Sequence, residues 1–379
     1  MKVLYIFRSL AVFGGIERVL VDKMNYLVAQ FGYDVYMITS DQGTHPVPYQ
    51  LEKEVHLIDI SIQFHKQYQY RGLRRLWDGY RRTRLFEKRL NELLIDIRPD
   101  VIICTTTDPV WSIVKVKGRI PLVVEAHNIC SRALGVKGPY QQMIAWRLKR
   151  SLKKVICLVA LTDHDAEDWS KLRIPVKVIP NVVHLNDGEV SNLKSRRVVW
   201  VGRFDYQKRP LEIVKIWQQV YLAFPDWSLD IYGDGQQRGE LEKVVKNLNM
   251  NICVHPPTES VFDVYRNSSI LVSTSLFEPF GLVIPEAMSC GLPVVSYDSP
   301  YGPSSIITNG QDGFLIKNRS VEDFADRVCQ LIENEDLRRQ MGQCGIISSQ
   351  RYRAERIMSM WKNLFDELIS QSKKELSAD

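Results

Sequence analysis

The sequence predicts an α/β chain of two domains, each built on a parallel sheet covered by helices. Three observations lead there. The length, 379 residues, accommodates two domains of ordinary size. Along both halves the apolar period switches repeatedly between strand-like and helix-like. A stretch near 180–195 has no period and is rich in turn formers, and after it the pattern restarts. The expected division is 1–185 for the first domain, 190–360 for the second, and 361–379 for a terminal helix and tail.

The elements follow in order. Val3–Phe7 is a short apolar run of β-formers, and Gly14 and Gly15 come next. Ile16, Val19, Leu20, Met24, Leu27, Val28 and Phe31 then fall at helical spacing. Gly32 ends that helix, and Asp34–Thr39 reads as a second strand, completing a βαβ unit. Val101–Cys104, Leu122–Glu125 and Val155–Leu161 are the later strands of this half. In the second half the strands are Arg197–Val201, Ser228–Tyr232, Ile270–Thr274 and Pro293–Tyr297. Helices are expected at Leu211–Phe224, Glu240–Leu248 and Val261–Arg266, with another opening at Pro285. From Val321 onward the pattern is helical only. Two such domains leave a cleft at the C-terminal edges of their strands, where open α/β sheets take ligands.

Composition narrows the class. With 45% hydrophobic and 25% charged residues the chain is ordinary for a globular protein, which excludes disordered, collagen-like and coiled-coil classes. The longest apolar run, Val155–Leu161, has seven residues, and a span needs about 20. Arg8 cuts Val3–Phe7 short of a secretory signal. Seven cysteines stand singly, with no Cys-x-x-Cys pair, so no zinc site or disulfide framework is expected and a reducing cytoplasm is the natural compartment.

The densest chemistry lies in Phe277–Met288. Pro279 and Pro285 forbid one helix through both Glu278 and Glu286, so Glu278 sits on a loop and Pro285 starts a helix carrying Glu286 in its first turn. Gly281 lets backbone approach a ligand. A loop feeding a helix N-terminus suits phosphate, which leaves the two carboxylates to take hydroxyls. Alternatively, Glu286 is a dipole-favoured first-turn acid and Glu278 an ordinary loop residue. Just past the second domain's first strand come Gly202, Arg203 and Lys208. The two cations either neutralise a diphosphate or are solvated surface charges. No acidic cluster has metal-ligand spacing, so no metal is expected.

Taken together, these segments resemble the retaining glycosyltransferases of the two-domain GT-B type, the large group called family 4. The resemblance covers essentially the whole chain. It rests on Gly14–Arg18, Ile179–Asn181, Val201–Arg203 with Lys208, Tyr232–Gly235, Glu278 and Glu286, Ala287–Val294, and Asn309–Leu315. It implies two Rossmann-like, doubly wound domains facing each other across a cleft, the C-terminal helix crossing back to the first. Transfer of a hexose or N-acetylhexosamine from a nucleotide diphosphate sugar to a saccharide or lipid-linked saccharide is the implied activity, in cell-surface glycan assembly and without a metal or other cofactor. Arg203 and Lys208 would hold the donor diphosphate, Glu286 the ribose, and Glu278 the transferred sugar. His127, after a strand, would also contact that sugar. Backbone at Phe280, Gly281, Leu282 and Val283 would bind phosphate and sugar, with Gly202 and Gly233 nearby. Gly14 and Gly15 would form the cleft floor. Configuration would be retained by attack from the leaving-group face, with no protein nucleophile.

One departure stands out: Ser304 or Ser305 occupies a place where the family commonly has glutamate. The form Gly302-Pro303-x-x-Ile306-Ile307 resembles a subset using UDP-linked sugars. Rival readings are a UDP-N-acetylglucosamine 2-epimerase, which needs a different acid/base set, and a donor-binding subunit without activity, which the intact motifs disfavour. A dinucleotide dehydrogenase is disfavoured because Gly-x-Gly-x-x-Gly is missing after Val3–Phe7.

Charge supplies the last expectation. Residues 1–180 carry 28 Lys and Arg against 18 Asp and Glu, and the remainder carries 22 against 26, so the total of +6 hides +10 and −4. Residues 64–89 hold nine cations interleaved with Phe64, Tyr68, Tyr70, Trp77, Tyr80 and Phe86, and 146–154 form a second cluster. The segments 64–90 and 146–154 are either solvated charged helices or a peripheral contact with an anionic cytoplasmic membrane face. Nucleic acid is not expected, because no recognised motif accompanies the charge.

Overall fold

The computed structural model describes the backbone of residues 1–378 and the side chains of residues 1–371, so residue 379 of the expected tail lies outside the described residues. The chain divides into two compact units, one of Met1–Val182 with the C-terminal helix, the other Val183–Arg353. The second unit thus ends at Arg353 rather than at 360, and the helix Ala354–Ala378 belongs to the first unit.

The first unit has a seven-stranded parallel sheet. Its strands are β1 (Lys2–Phe7), β2 (Asp34–Thr39), β3 (His56–Asp59), β4 (Val101–Thr105), β5 (Leu122–Glu125), β6 (Cys157–Ala160) and β7 (Val176–Val178), in the order β3-β2-β1-β4-β5-β6-β7. Val3 of β1 pairs with Val35 on one side and Val101 on the other. Strand order therefore reverses between β1 and β4, the place where such sheets take ligands.

Alternation along β1 sorts the core into two layers. Val3, Tyr5 and Phe7 pack with the helix Gly15–Phe31 and with Ile357, Met358, Trp361, Leu364, Phe365 and Leu368 of the C-terminal helix. Leu4 and Ile6 face the opposite layer, against the long helix Gly72–Ile97. The six C-terminal residues fall on one helical stripe. Each large apolar side chain so buried contributes about 1.5–3 kcal/mol, which is why this helix stays with the first unit although it follows the second in sequence.

The second unit repeats the plan with six parallel strands, β8 (Arg197–Val201), β9 (Ser228–Tyr232), β10 (Ile252–His255), β11 (Ile270–Ser273), β12 (Val294–Tyr297) and β13 (Gly313–Ile316), ordered β10-β9-β8-β11-β12-β13. Its reversal lies between β8 and β11. The helix expected to open at Pro285 begins instead at Val283 and runs to Ser289, with Glu286 still in its first turn. Proline lacks an N–H but tolerates this turn, where amides have no intrahelical partner.

The loops after β8 and β9 interlock through glycine. The Phe204 amide donates to the Asp234 carbonyl at 2.8 Å, and the Gln237 amide donates back to the Phe204 carbonyl at 2.9 Å. A Cβ on Gly233 would lie 1.9 Å from the Gly202 carbonyl oxygen, and the Gly233 φ is +153°. Gly233→Ala is therefore expected to destabilise the protein by about 3 kcal/mol or more. Chemical denaturation checks this, and an unshifted midpoint would contradict the close approach.

Candidate functional site

In the second unit the loops after β8 and β11 flank the strand-order reversal. They are stitched together by the protein's own hydrogen bonds. The Thr274 hydroxyl accepts the Trp200 indole N–H at 2.9 Å and donates towards the carbonyls of Lys208 and Arg209 at 3.0 and 3.1 Å. The Leu276 amide donates to the Gln207 carbonyl at 2.7 Å, and the Gln207 side-chain amide donates to the Phe277 carbonyl at 3.2 Å. Arg319 clamps the same loop through the carbonyls of Ser275 and Thr274 and the Glu212 carboxylate, at 2.9, 3.0 and 2.6 Å.

This frame brings Lys208 and Glu278 together. Their ammonium and carboxylate form a largely buried ion pair, and the Ser275 hydroxyl donates to the same carboxylate oxygen at 3.2 Å. Arg203 projects outward instead, with 65% of its side chain exposed, 3.2 Å from the Asp205 carboxylate. Gly281 has φ +95°, and a Cβ there would lie 2.9 Å from Glu278 Cγ, so only glycine lets the carboxylate stem pack on this turn. Phe280 is buried edge-on against Tyr352, and Leu282 is the N-cap of the helix carrying Val283 and Glu286. The Glu286 carboxylate is also buried, 3.5 Å from the Tyr265 hydroxyl. The expected second-unit residues are thus placed along two adjoining loops and one helix.

The first unit holds His127 past the end of β5 and Gly14 and Gly15 after β1. Gly14 is the N-cap of the helix and Gly15 is its first residue, so the pair bridges loop and helix. His127 is buried, its Nε2 3.2 Å from Glu125 Oε2, without a well-aligned hydrogen bond. Glu125 Oε1 accepts from the buried Lys23 ammonium at 2.6 Å. Burial works to raise the Glu125 carboxyl, but Lys23 and His127 outweigh it and hold it at about 2. After β4, the buried Asp108 accepts from the Thr105 amide and hydroxyl at 2.7 and 2.9 Å. Burial pushes its carboxyl up to about 7 despite those bonds.

Sequence reasoning missed Thr274, Gln207, Arg319, Lys23, Glu125 and Asp108. The signal for Glu125 was a charge at the end of an otherwise apolar strand; for the others no local pattern pointed inward. The expectation of no metal-ligand cluster meets one exception among the described residues. Asp230, Cys253 and His255 place ligand atoms within 4.8 Å of one another on β9 and β10. The His255 ring already pairs with Asp230 at 2.8 Å and stacks on Tyr232, and none of the expected catalytic residues belongs to the group.

The basic segments divide by role. Tyr68, Leu73, Leu76, Trp77 and Tyr80 are exposed, as are Tyr140, Met143 and Trp146 of the helix Pro139–Leu152. Arg75 stacks on the rings of both Tyr68 and Tyr140, tying the segments together. Two expectations need correction. Phe86 is a core residue, with Phe64 packed on it. Arg82 and Arg89 turn inward to the carbonyls of Ile62 and Ile60, because the loop before the helix leaves those acceptors without strand partners.

Comparison with known proteins agrees with this architecture. The model for glycosyl transferases group 1 matches residues 186–346, and the model for glycosyltransferase family 4 matches residues 13–187. An uncharacterized glycosyltransferase of Haemophilus influenzae is 26% identical over 93% of this chain and 96% of its own. The poly(ribitol-phosphate) alpha-N-acetylglucosaminyltransferase of Staphylococcus aureus is 36% identical over 50% of this chain and 39% of its own. Among solved structures, a mutant of S. aureus TarM, in complex with fondaparinux, alpha-GlcNAc-glycerol and UDP, superposes with a TM-score of 0.76 at 15% identity, over 96% of this chain and 99% of that one. The fold is the two-domain α/β GT-B fold.

Asp108 gives a test of the first unit's geometry. Its folded value is raised, so the native state keeps a proton that the unfolded chain, titrating near ~3.9, releases first. The penalty is absent below about pH 4, grows as pH rises, and is complete above about 7. Asp108→Asn removes it. The variant's stability gain over wild type is expected to rise from near zero at acid pH to at most roughly 4 kcal/mol above neutrality, at about 1.4 kcal/mol per unit. Thermal melts at pH 5 and pH 8 check the sign; an equal gain at both would contradict it.

Proposed function

We propose, from the premise that the chain belongs to the glycosyltransferase family those two models describe, that it moves a hexose or N-acetylhexosamine from a nucleoside diphosphate sugar to a saccharide or lipid-linked saccharide. The observation that carries this reading is the frame that pairs Lys208 with Glu278 at the strand-order reversal of the second unit, with Arg203 on the same loop as Lys208 and the buried Glu286 in the first turn of the following helix. In this reading the two cations meet the diphosphate, and the two buried carboxylates accept hydroxyls of the sugar and the ribose. A UDP-linked donor is the preferred form, supported by the UDP named with the TarM structure and by the Gly302–Ile307 segment. A role in polymer glycosylation is supported by the poly(ribitol-phosphate) acceptor that the S. aureus relative's name records.

The chemistry follows from charge. The bond between the anomeric carbon and the donor phosphate oxygen breaks, and negative charge grows on the departing diphosphate. Arg203 and Lys208 stabilise that charge more than they stabilise the bound ground state. An acceptor oxygen bonds to the anomeric carbon on the same face, and its proton passes to a leaving phosphate oxygen, so configuration is retained. Without donor, the Lys208 charge is balanced by Glu278. A bound diphosphate competes for that ammonium and releases the carboxylate to sugar hydroxyls. His127 contacts the transferred sugar, and backbone at Phe280–Val283 meets phosphate and sugar. The two side-chain cations take the electrostatic role that a metal has elsewhere.

Donor turnover by the purified protein against UDP-, GDP- and ADP-sugars, with and without EDTA, tests the assignment. UDP-sugars are expected to turn over best and EDTA to leave the rate unchanged. Arg203→Ala and Lys208→Ala are each expected to lower kcat by about 100-fold or more; unchanged turnover in both would refute the mechanism.

The exposed aromatic and basic surface on the helices Gly72–Ile97 and Pro139–Leu152 is proposed to rest on an anionic membrane face, bringing the enzyme to a lipid-linked acceptor. Among the described residues no helix is long and apolar enough to cross a membrane. Each cation near such a surface contributes about 1 kcal/mol, and the exposed rings add interfacial contact. Co-flotation with vesicles containing anionic lipid is expected at low salt, and reversing Arg74, Arg75 and Arg81 to Glu is expected to abolish it. Wild type that never floats would remove the proposal.

A further inference from the structure

Lys23 is buried with its ammonium against one carboxylate and two aromatic faces. Glu125 Oε1 lies at 2.6 Å, the Trp361 ring centroid at 3.7 Å, and the Tyr5 ring centroid at 5.5 Å. Lys23, Glu125 and His127 are 1%, 2% and 5% exposed. Stability alone gives a poor account of this arrangement, because a buried ion pair is often no better than apolar residues of the same shape. Its consequence for His127 is directional. Lys23 occupies one oxygen of Glu125, and the other oxygen faces His127 Nε2. Lysine can only donate, and an ionised carboxylate can only accept. At 3.2 Å the nitrogen facing that carboxylate is favoured to carry the proton, because the other tautomer sets a lone pair against the carboxylate charge.

We propose that Lys23 and Glu125 are positioning residues for His127: they fix its proton on Nε2, so that Nδ1 offers a lone pair to a hydroxyl of the transferred sugar. This rests on the reading that His127 contacts that sugar. The carboxyl of Glu125, held low against the opposing effect of burial, stays ionised across the working range and keeps the tautomer fixed. Trp361 brings the C-terminal helix into the arrangement. Its ring covers the ammonium face that Glu125 leaves open, where cation–π attraction replaces lost hydration. A ring nitrogen that accepts, rather than donates, selects a ligand O–H over a ligand oxygen without a proton.

Glu125→Gln separates this role from a packing role. Lys23 will take the amide oxygen, which turns the side-chain NH2 towards His127 Nε2 and drives the ring proton to Nδ1. Histidine 15N–1H correlation spectra, with His127 assigned by its loss in His127→Ala, are expected to show the Nε2–H form in wild type and the Nδ1–H form in Glu125→Gln. In the same variant kcat is expected to fall about tenfold or more with the donor KM little changed. An unaltered tautomer, or an altered tautomer with wild-type kcat, overturns the proposal. Should Glu125→Gln not fold, the charge-neutral pair Lys23→Met with Glu125→Leu serves. It is expected to keep its melting temperature within a few degrees, since both charges leave together, and to lose the single tautomer and the same tenfold in kcat. Retention of both overturns the proposal. His127→Ala distinguishes the two levels: wild-type turnover in that variant refutes the sugar contact itself, whereas a loss there beside unaffected Glu125 variants refutes only the positioning.

Discussion

One hydroxyl governs the second unit's site. Thr274 directly follows the central strand β11 and reaches the carbonyls of Lys208 and Arg209 while accepting the Trp200 indole. It fixes the height of the loop after β8 relative to the loop after β11 at the start of the segment that brings Lys208 to Glu278. Other ties reinforce that height. Gln207 binds the far loop through both its backbone and its side chain, and Arg319 holds the same loop from the opposite end of the unit's sequence. The ion pair between Lys208 and Glu278 is the product of this frame rather than its cause. A largely buried pair must recover its desolvation through good geometry, and the frame supplies it.

The first unit solves a related problem with deeper burial. Lys23, Glu125 and His127 lie on a helix, a strand end and the following loop, and only the parallel sheet brings them together. The C-terminal helix completes the set. Ile357, Leu364 and Phe365 anchor its stripe in the apolar layer, and that anchorage carries Trp361 to the Lys23 ammonium. The return of the chain from the second unit to the first is thus more than a tether. It places an aromatic face on the side of the Lys23 ammonium that Glu125 leaves open, where cation–π attraction offsets lost hydration.

What the sequence disclosed and what it hid divide along physical lines. The strands read from apolar runs are the inner ones: β1, β2, β4, β5 and β6 in one sheet, and β8, β9, β11 and β12 in the other. Inner strands are covered on both faces and so read as continuous apolar segments. The four that escaped notice, β3, β7, β10 and β13, are the sheet edges. Leu57 of β3 and Cys253 of β10 are exposed, and strands of three or four residues, as all four are, leave little period to see. The site divides similarly. Residues whose spacing is fixed by one loop, such as Arg203 with Lys208 or Glu278 with Glu286, were visible in the sequence. Lys23 and Glu125, or Thr274 and Lys208, become partners only through strand order, and no local pattern reports that. The basic helix was visible as charge but not as geometry, since linear sequence does not distinguish Arg82, turned inward, from Arg81, largely exposed.

The loop after β12 shows how a departure from a family pattern can be absorbed. Tyr301 has φ +82° without being glycine, which is strained backbone. It is held there because Tyr301 bridges Glu278 and the Gly302 amide donates to the Glu278 carbonyl at 2.8 Å. Close approach makes Gly302 obligatory, for a Cβ would lie 2.1 Å from the Phe280 carbonyl oxygen. Ser304 and Ser305, where the resemblance leads one to look for a carboxylate, both turn their hydroxyls to the Tyr301 carbonyl, at 3.3 and 2.6 Å. They are therefore occupied in closing the strained turn. In this chain the position supports the backbone of Glu278.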